Sequence, residues 1–155
     1  MSVYLVRHTH AVGRSSWSGD DEGRPLSKKG MRQAAGLVKL LGDKPIRRIL
    51  SSPAVRCVDS MVPLADELGL TVTPAPELLE GASATDALDL LLGVAAKPGD
   101  SALCTHGDLV PELLWALAAR GAKLNGGDTW AKGSTWALRF DDDMAHGRYH
   151  PPLEA

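Results

Sequence analysis

Residues 46–69, IRRILSSPAVRCVDSMVPLADELG, contain a strand, a stop and a helix in immediate succession. Ile46 to Leu50 carries the β-branched and aliphatic residues of a short buried strand. Ser52 followed by Pro53 is the pattern of a helix N-cap with proline at the first helical position. The 3.6-residue period then places Val55, Val58, Met61, Val62, Ala65 and Leu68 on one face, and Gly69 closes the helix. A strand that feeds a helix through so short a turn is half of a β-α-β unit, and it points to an α/β fold.

The flanking sequence repeats the pattern. Val3 to Val6 is a short β-rich run that ends where charge begins. His8 to Leu26 is polar, with Gly13, Gly19 and Gly23, and reads as a long loop. Ser27 is placed to cap a helix over Lys28–Leu41, with Ala34, Leu37, Val38 and Leu41 inward, ended by Gly42-Asp43 and Pro45. Downstream, Leu70 to Thr73 is a third short strand and Pro74 to Ser83 a loop. Ser83 or Thr85 caps a helix to about Ala95. Pro98-Gly99-Asp100 turns into a strand at Ser101–Thr105, and Gly107-Asp108 opens a helix to about Arg120. Gly121 to Lys132 reads as loop, Ser134 to Phe140 as the last strand, and the tail with Pro151 and Pro152 as irregular. Strands alternating with helices predict a three-layer α/β/α sandwich around a mostly parallel sheet. The 155 residues suffice for a single domain, expected to span 1–155.

Composition narrows the function. Hydrophobic residues make up 44%, charged residues 23%, and the net charge is −2, so no global basic surface invites nucleic acid or a membrane. An anionic ligand must therefore be met by local cations. Cys57 and Cys104 lie in apolar runs and read as reduced core thiols. No basic leader with a long apolar region opens the chain, and no run of about 18 apolar residues is long enough to span a bilayer. A cytoplasmic location is expected.

In sheets of this kind ligands bind beyond the carboxyl ends of the strands. The first strand ends in Arg7-His8, the fourth in Thr105-His106-Gly107, and the second leads through Ser51-Ser52-Pro53 to Arg56 on the first turn of its helix. Brought to one edge, these two histidines and two arginines form a pocket for a dianion. Arginine suits a phosphoryl group because its planar fork makes paired, charge-assisted hydrogen bonds. Helix N-termini near Pro53 and Gly107 add backbone donors. A neutral histidine whose second nitrogen is held by a hydrogen bond can act as nucleophile. Glu77 and Glu80, in the loop after the third strand, are carboxyl candidates for protonating a leaving group. For Glu80 that role calls for a raised pKa.

The segments Leu5-Val6-Arg7-His8-Thr9, Arg24-Pro25-Leu26-Ser27-Lys28-Lys29-Gly30, Ser51-Ser52-Pro53-Ala54-Val55-Arg56 and Thr105-His106-Gly107 occur in that order. Together they resemble the histidine phosphatase (phosphoglycerate mutase-like) superfamily. Compact size and the Arg-Pro-Leu-Ser segment make the chain most similar to the small SixA-type phosphohistidine phosphatase branch. The resemblance covers roughly Val3 to Leu114. It implies a phosphoglycerate mutase-like fold and transient phosphorylation of His8. It also implies a phosphoryl group held by Arg7, Arg56 and His106, with Glu80 as proton donor. Many members have glycine where this chain has Thr9, whose side chain is expected at the pocket rim.

The site is expected to use neither metal nor cofactor. His8-x-His10 lacks a completing ligand nearby, which leaves His10 as a loop residue near the mouth. Lys132-Gly133-Ser134-Thr135 lacks the order and the upstream glycine of a P-loop. Neither cysteine is followed six positions later by arginine, which removes a cysteine phosphatase. Arg14 is expected as a solvated cation and Trp17 as a packed indole. His146 and His150 are expected to take no part in catalysis. Without long insertions to enclose a small molecule, the site suits a phosphorylated protein side chain, phosphohistidine above all. A small phosphate monoester or nucleotide is the alternative substrate, and a non-catalytic phosphate-binding module the alternative function.

Overall fold

The computed structural model describes residues 1–142 and 144–155. Its strands are β1 (Ser2–Arg7), β2 (Ile46–Ser51), β3 (Val72–Pro74), β4 (Asp100–Thr105), β5 (Lys123–Asn125), β6 (Thr135–Asp141) and β7 (Met144–His150). The helices are α1 (Lys28–Leu41), α2 (Val55–Leu68), α3 (Ala84–Ala95) and α4 (Leu109–Ala119). The strands form one sheet in the order β3-β2-β4-β1-β6-β7-β5. The run from β3 to β1 is parallel, β6 is antiparallel to both its neighbours, and β5 is parallel to β7.

Strand alternation builds a core on each face. Val3 and Leu5 of β1 join Leu103 of β4 and Leu113 of α4 on one side. Tyr4 and Val6 join Ile49, Ala102 and Met61 of α2 on the other. Every residue of the interior strand β4 is buried, its polar members Asp100, Ser101 and Thr105 included. Full burial of a side chain such as Leu103 contributes about 2 kcal/mol from area removed from water. This arrangement, with helices on both faces of a mixed but mainly parallel sheet, is the phosphoglycerate mutase-like fold. No helix among the described residues is long and apolar enough to cross a membrane.

Several boundaries differ from the sequence-based expectation. Ser27 caps α1 by accepting from the Gly30 amide, and Ser83 rather than Thr85 caps α3. The N-cap of α2, however, is Ala54, whose side chain makes no capping bond. Its buried face is Arg56, Cys57, Ser60, Met61, Leu64 and Ala65, while Val62 is exposed. The helix is turned so that Arg56 and Ser60 face the strand ends, which rotates the valines away from the core. α4 begins at Leu109, two residues after Gly107. The region expected as loop contains β5, and the tail expected as irregular contains β7, which pairs along the whole of β6.

Candidate active site

The parallel register aligns Arg7 with Thr105 and Ser51 with Cys104. The residues that follow these three adjacent strands therefore emerge at one sheet edge: His8, Ser52 and His106. Arg56 reaches the same place from the first turn of α2. Beyond them lies a cavity of about 630 Å³ whose wall includes Arg7, His8, Arg56, Glu80 and Gly107.

His8 is 5% exposed. Its Nδ1 lies 2.8 Å from the Thr9 carbonyl oxygen, an atom that can only accept, so Nδ1 carries the hydrogen and Nε2 keeps its lone pair. Burial, the largest cause, pushes the imidazole pKa down to about 3. The hydrogen bond to Thr9 works against that, and the charges of His106, Arg56 and Arg7 add to it. The ring is thus neutral near pH 7, as a nitrogen nucleophile must be.

His106 is 1% exposed and lies edge-on to His8 at a centroid distance of 5.4 Å. Its Nε2 is 2.8 Å from Ser52 Oγ, and Arg56 Nη2 is 3.4 Å from its Nδ1. Because a guanidinium only donates, Nδ1 is the acceptor, and Nε2–H donates to Ser52. Arg56 is itself fixed by Asp21, with Nη1 donating to the Asp21 carbonyl at 2.8 Å and Nη2 to its carboxylate at 3.2 Å. Burial opposes ionisation of Asp21, but the hydrogen bond from Arg24 and the charges of Arg56, Arg24 and Arg14 hold its carboxyl below the usual range.

Arg7 donates from Nη1 to the Trp130 carbonyl at 2.9 Å. Its guanidinium lies flat against Gly107, where an added Cβ would stand 2.6 Å from Arg7 Cζ. The Nε–H groups of both Arg7 and Arg56 are buried without a hydrogen-bond partner among the described residues. Buried donors are rarely left unpaired, and phosphoryl oxygens are acceptors of the kind these two cations would satisfy. Glu80 is half-exposed, 3.8 Å from Arg56 and 3.7 Å from Arg14. Its loop is tied to the start of α4 by the Gly81 amide, which donates to Asp108 Oδ2 at 2.8 Å.

Arg7, His8, Arg56, Glu80 and His106 are therefore gathered at one edge, whereas Glu77, in the turn Pro76–Leu78, is not on the cavity wall. Other expectations are corrected. Thr9 is not at the rim but fully buried beneath the site, bonded through its amide and hydroxyl to Ser60 Oγ on α2. Arg14 is solvated as expected, its side chain 69% exposed, and it also lies on the cavity wall in ion pairs with Asp21 and Glu80. Trp17 is 36% exposed and bonds the Asp20 carbonyl. His10 does lie on the cavity wall, its Nδ1 2.6 Å from Oγ of Ser27, the N-cap of α1. The sequence reading passed over Ser52 as a site residue, and also Asp21, Asp108 and Lys132. Ser52 and Asp108 stand in the segments Ser51-Ser52-Pro53 and Gly107-Asp108 already marked as helix starts, and Lys132 in the segment rejected as a P-loop; Asp21 carries no such signal. Cys57 and Cys104 are buried free thiols, and burial pushes the Cys104 thiol up.

Comparison with known proteins identifies the family and the fold. The profile of the histidine phosphatase superfamily (branch 1) matches residues 3–86. An 8-oxo-(d)GTP phosphatase of Mycolicibacterium smegmatis is 38% identical over 160 residues, covering 99% of this chain and 49% of that protein. The chain spans about half the length of the curated relatives it matches. Among solved structures, the protein histidine phosphatase SixA complexed with tungstate superimposes with a TM-score of 0.74 at 21% identity, covering 99% and 97% of the two chains. A mycobacterial glucosyl-3-phosphoglycerate phosphatase complexed with VO3 gives 0.71 at 19%, covering 99% and 98%.

Proposed function

We propose, because this chain belongs to the histidine phosphatase superfamily (branch 1), that residues 1–155 act as one catalytic domain that passes a substrate phosphoryl group through His8. The observation that carries this reading is the state of His8: buried, neutral, with Nδ1 committed to Thr9 and Nε2 free beside two arginines. Nε2 attacks phosphorus, the P–N bond forms and the bond to the leaving oxygen breaks. Arg7 and Arg56 take up the charge on the equatorial oxygens, and His106, held by Ser52, buttresses Arg56. Glu80 gives its proton to the departing oxygen. In the second half, Glu80 takes a proton from water as that water attacks the phosphohistidine, releasing phosphate and restoring neutral His8.

The placement of Glu80 on the cavity wall supports oxygen esters as substrates, since alkoxide leaving groups need an acid. Similarity to a phosphatase named for a small phosphorylated molecule supports the same reading. A phosphohistidine side chain of a protein is the second reading, favoured by the exposure of Arg14 and Glu80 at the mouth.

A substrate panel of alkyl and aryl phosphates, nucleotides and a phosphohistidine protein, run on wild type and His8→Ala, tests both. We expect turnover of small esters by the wild type, an acid-labile phosphoenzyme trapped during turnover, and at least about a 10³-fold loss in His8→Ala. Undiminished turnover in that variant refutes the role of His8, and cleavage of phosphohistidine alone moves the substrate to the second reading.

A further inference from the structure

The cavity holds more positive charge than one phosphoryl group requires. Five cations, Arg7, Arg14, Arg24, Arg56 and Lys132, line it against two carboxylates, Glu80 and Asp108, in a chain of net charge −2. Arg14, Arg24 and Arg56 share the Asp21 carboxylate, which lies behind them. Lys132 makes no ion pair among the described residues. Burial foremost, and then the charges of Arg7, Arg24, Arg14 and Arg56, draw its pKa down. An ammonium placed with four guanidiniums and only two carboxylates, and paired with neither, is repelled in the unliganded protein, and an anionic ligand relieves that repulsion.

The position of Lys132 is built rather than accidental. The Gly133 amide donates to the carbonyls of both Arg7 and His8, each at 3.0 Å, so the turn is fastened to the nucleophile's own backbone. Gly133 has φ +83°, and an added Cβ would stand 3.1 Å from the Gln33 side chain. Gln33, 4% exposed, accepts from the His10 amide at 2.9 Å and donates to the Lys132 carbonyl at 3.4 Å. One buried amide thus clamps together the two segments that bring His10 and Lys132 to the cavity wall. Lys132 also contributes to the lowered pKa of His10, after burial, so the two groups act on one region of space.

We propose that Lys132 and His10 form a second anion subsite, so that the preferred substrate carries another phosphoryl or comparable anionic group beside the one transferred to His8. This rests on the phosphatase reading only for the identity of the reacting group; the subsite itself is a matter of binding.

Binding of methylphosphonate and methylenediphosphonate, neither of which is hydrolysed, separates the two questions. Calorimetry on wild type should show the diphosphonate binding at least about tenfold more tightly, the gain expected of one further charge-assisted contact. Lys132→Ala should cut that ratio about tenfold, and Lys132→Arg should restore most of it. Lys132 is exposed, so these variants are expected to fold, which circular dichroism checks. Equal affinities in wild type, or a ratio indifferent to Lys132→Ala, overturn the subsite. A protein that discriminates the phosphonates yet hydrolyses no phosphate compound keeps the subsite and loses the phosphatase reading.

Discussion

Ser52 Oγ accepts a hydrogen bond from His106 Nε2 at 2.8 Å. A serine placed by sequence to cap a helix instead fixes the ring and tautomer of a buried histidine, leaving Nδ1 toward Arg56. Ser52→Ala should remove that restraint and leave Nε2 facing only the poorer acceptor Cys57 Sγ at 3.5 Å. We expect kcat/KM to fall about tenfold, with a stability loss of about 1–2 kcal/mol. Ser52→Thr, which keeps the hydroxyl, should recover most of the activity. Equal kinetics for the alanine variant and wild type in a steady-state assay exclude the orienting role.

His8 should stay neutral through the physiological range. Its pKa of about 3 lies below the ordinary value near 6.5, so the unfolded chain binds more protons between those two limits. Stability associated with His8 is complete above about pH 6.5 and declines as pH falls toward 3. In the phosphate-free protein, NMR of the His8 ring should show no titration above about pH 4. A midpoint near 6.5 contradicts the burial argument.

Glu80 can be separated from the phosphoryl-binding groups by its leaving-group dependence. Glu80→Gln should slow alkyl phosphates about 10²-fold or more, the usual contribution of a positioned acid. Phenolic esters, whose leaving groups depart with little protonation, should lose less than about tenfold. Equal losses on both classes assign Glu80 to binding rather than proton transfer.

Two glycines make a matched test of space. Gly107→Ala sets a methyl 2.6 Å from Arg7 Cζ and Nη2, so the guanidinium must move. KM for phosphate esters should rise about tenfold, and stability should fall by about 1–3 kcal/mol. Gly93, within α3, has nothing within 4 Å of the same position. Gly93→Ala should therefore stabilise by roughly 0.5–1 kcal/mol without affecting turnover. Thermal melts and initial rates on the pair check both expectations.

The elements most legible in the sequence are those with a strong apolar signal and a conventional cap. β1, β2, β4, α1 and α3 fall close to their expected ranges because Val3–Val6, Ile46–Leu50 and Ser101–Thr105 are short apolar runs, and Ser27 and Ser83 cap as serine usually does. β7 was hidden because its inward positions are Ala145 and Gly147, too small to mark an apolar alternation between exposed polar residues. β5 has only three residues and follows the sheet rather than its own propensity. The face of α2 was misread because the site needs Arg56 and Ser60 turned inward, and packing overrode the valine pattern. In the site, residues at strand ends were legible because strand topology carries them. Asp21 and Lys132 were not, because each belongs to a turn whose course is set by tertiary hydrogen bonds.

The central position of β4 also bears on how the protein is made. β4 lies between β1 and β2 but is encoded after both, so a ribosome delivers His8 about ninety residues before the strand that completes its surroundings. Until Asp100–Thr105 emerges, β1 and β2 have no shared neighbour and present unpaired edges. Long-range parallel pairing of this kind forms slowly and leaves such edges open meanwhile. The burial that holds His8 neutral is therefore completed only once β4 is inserted between β1 and β2.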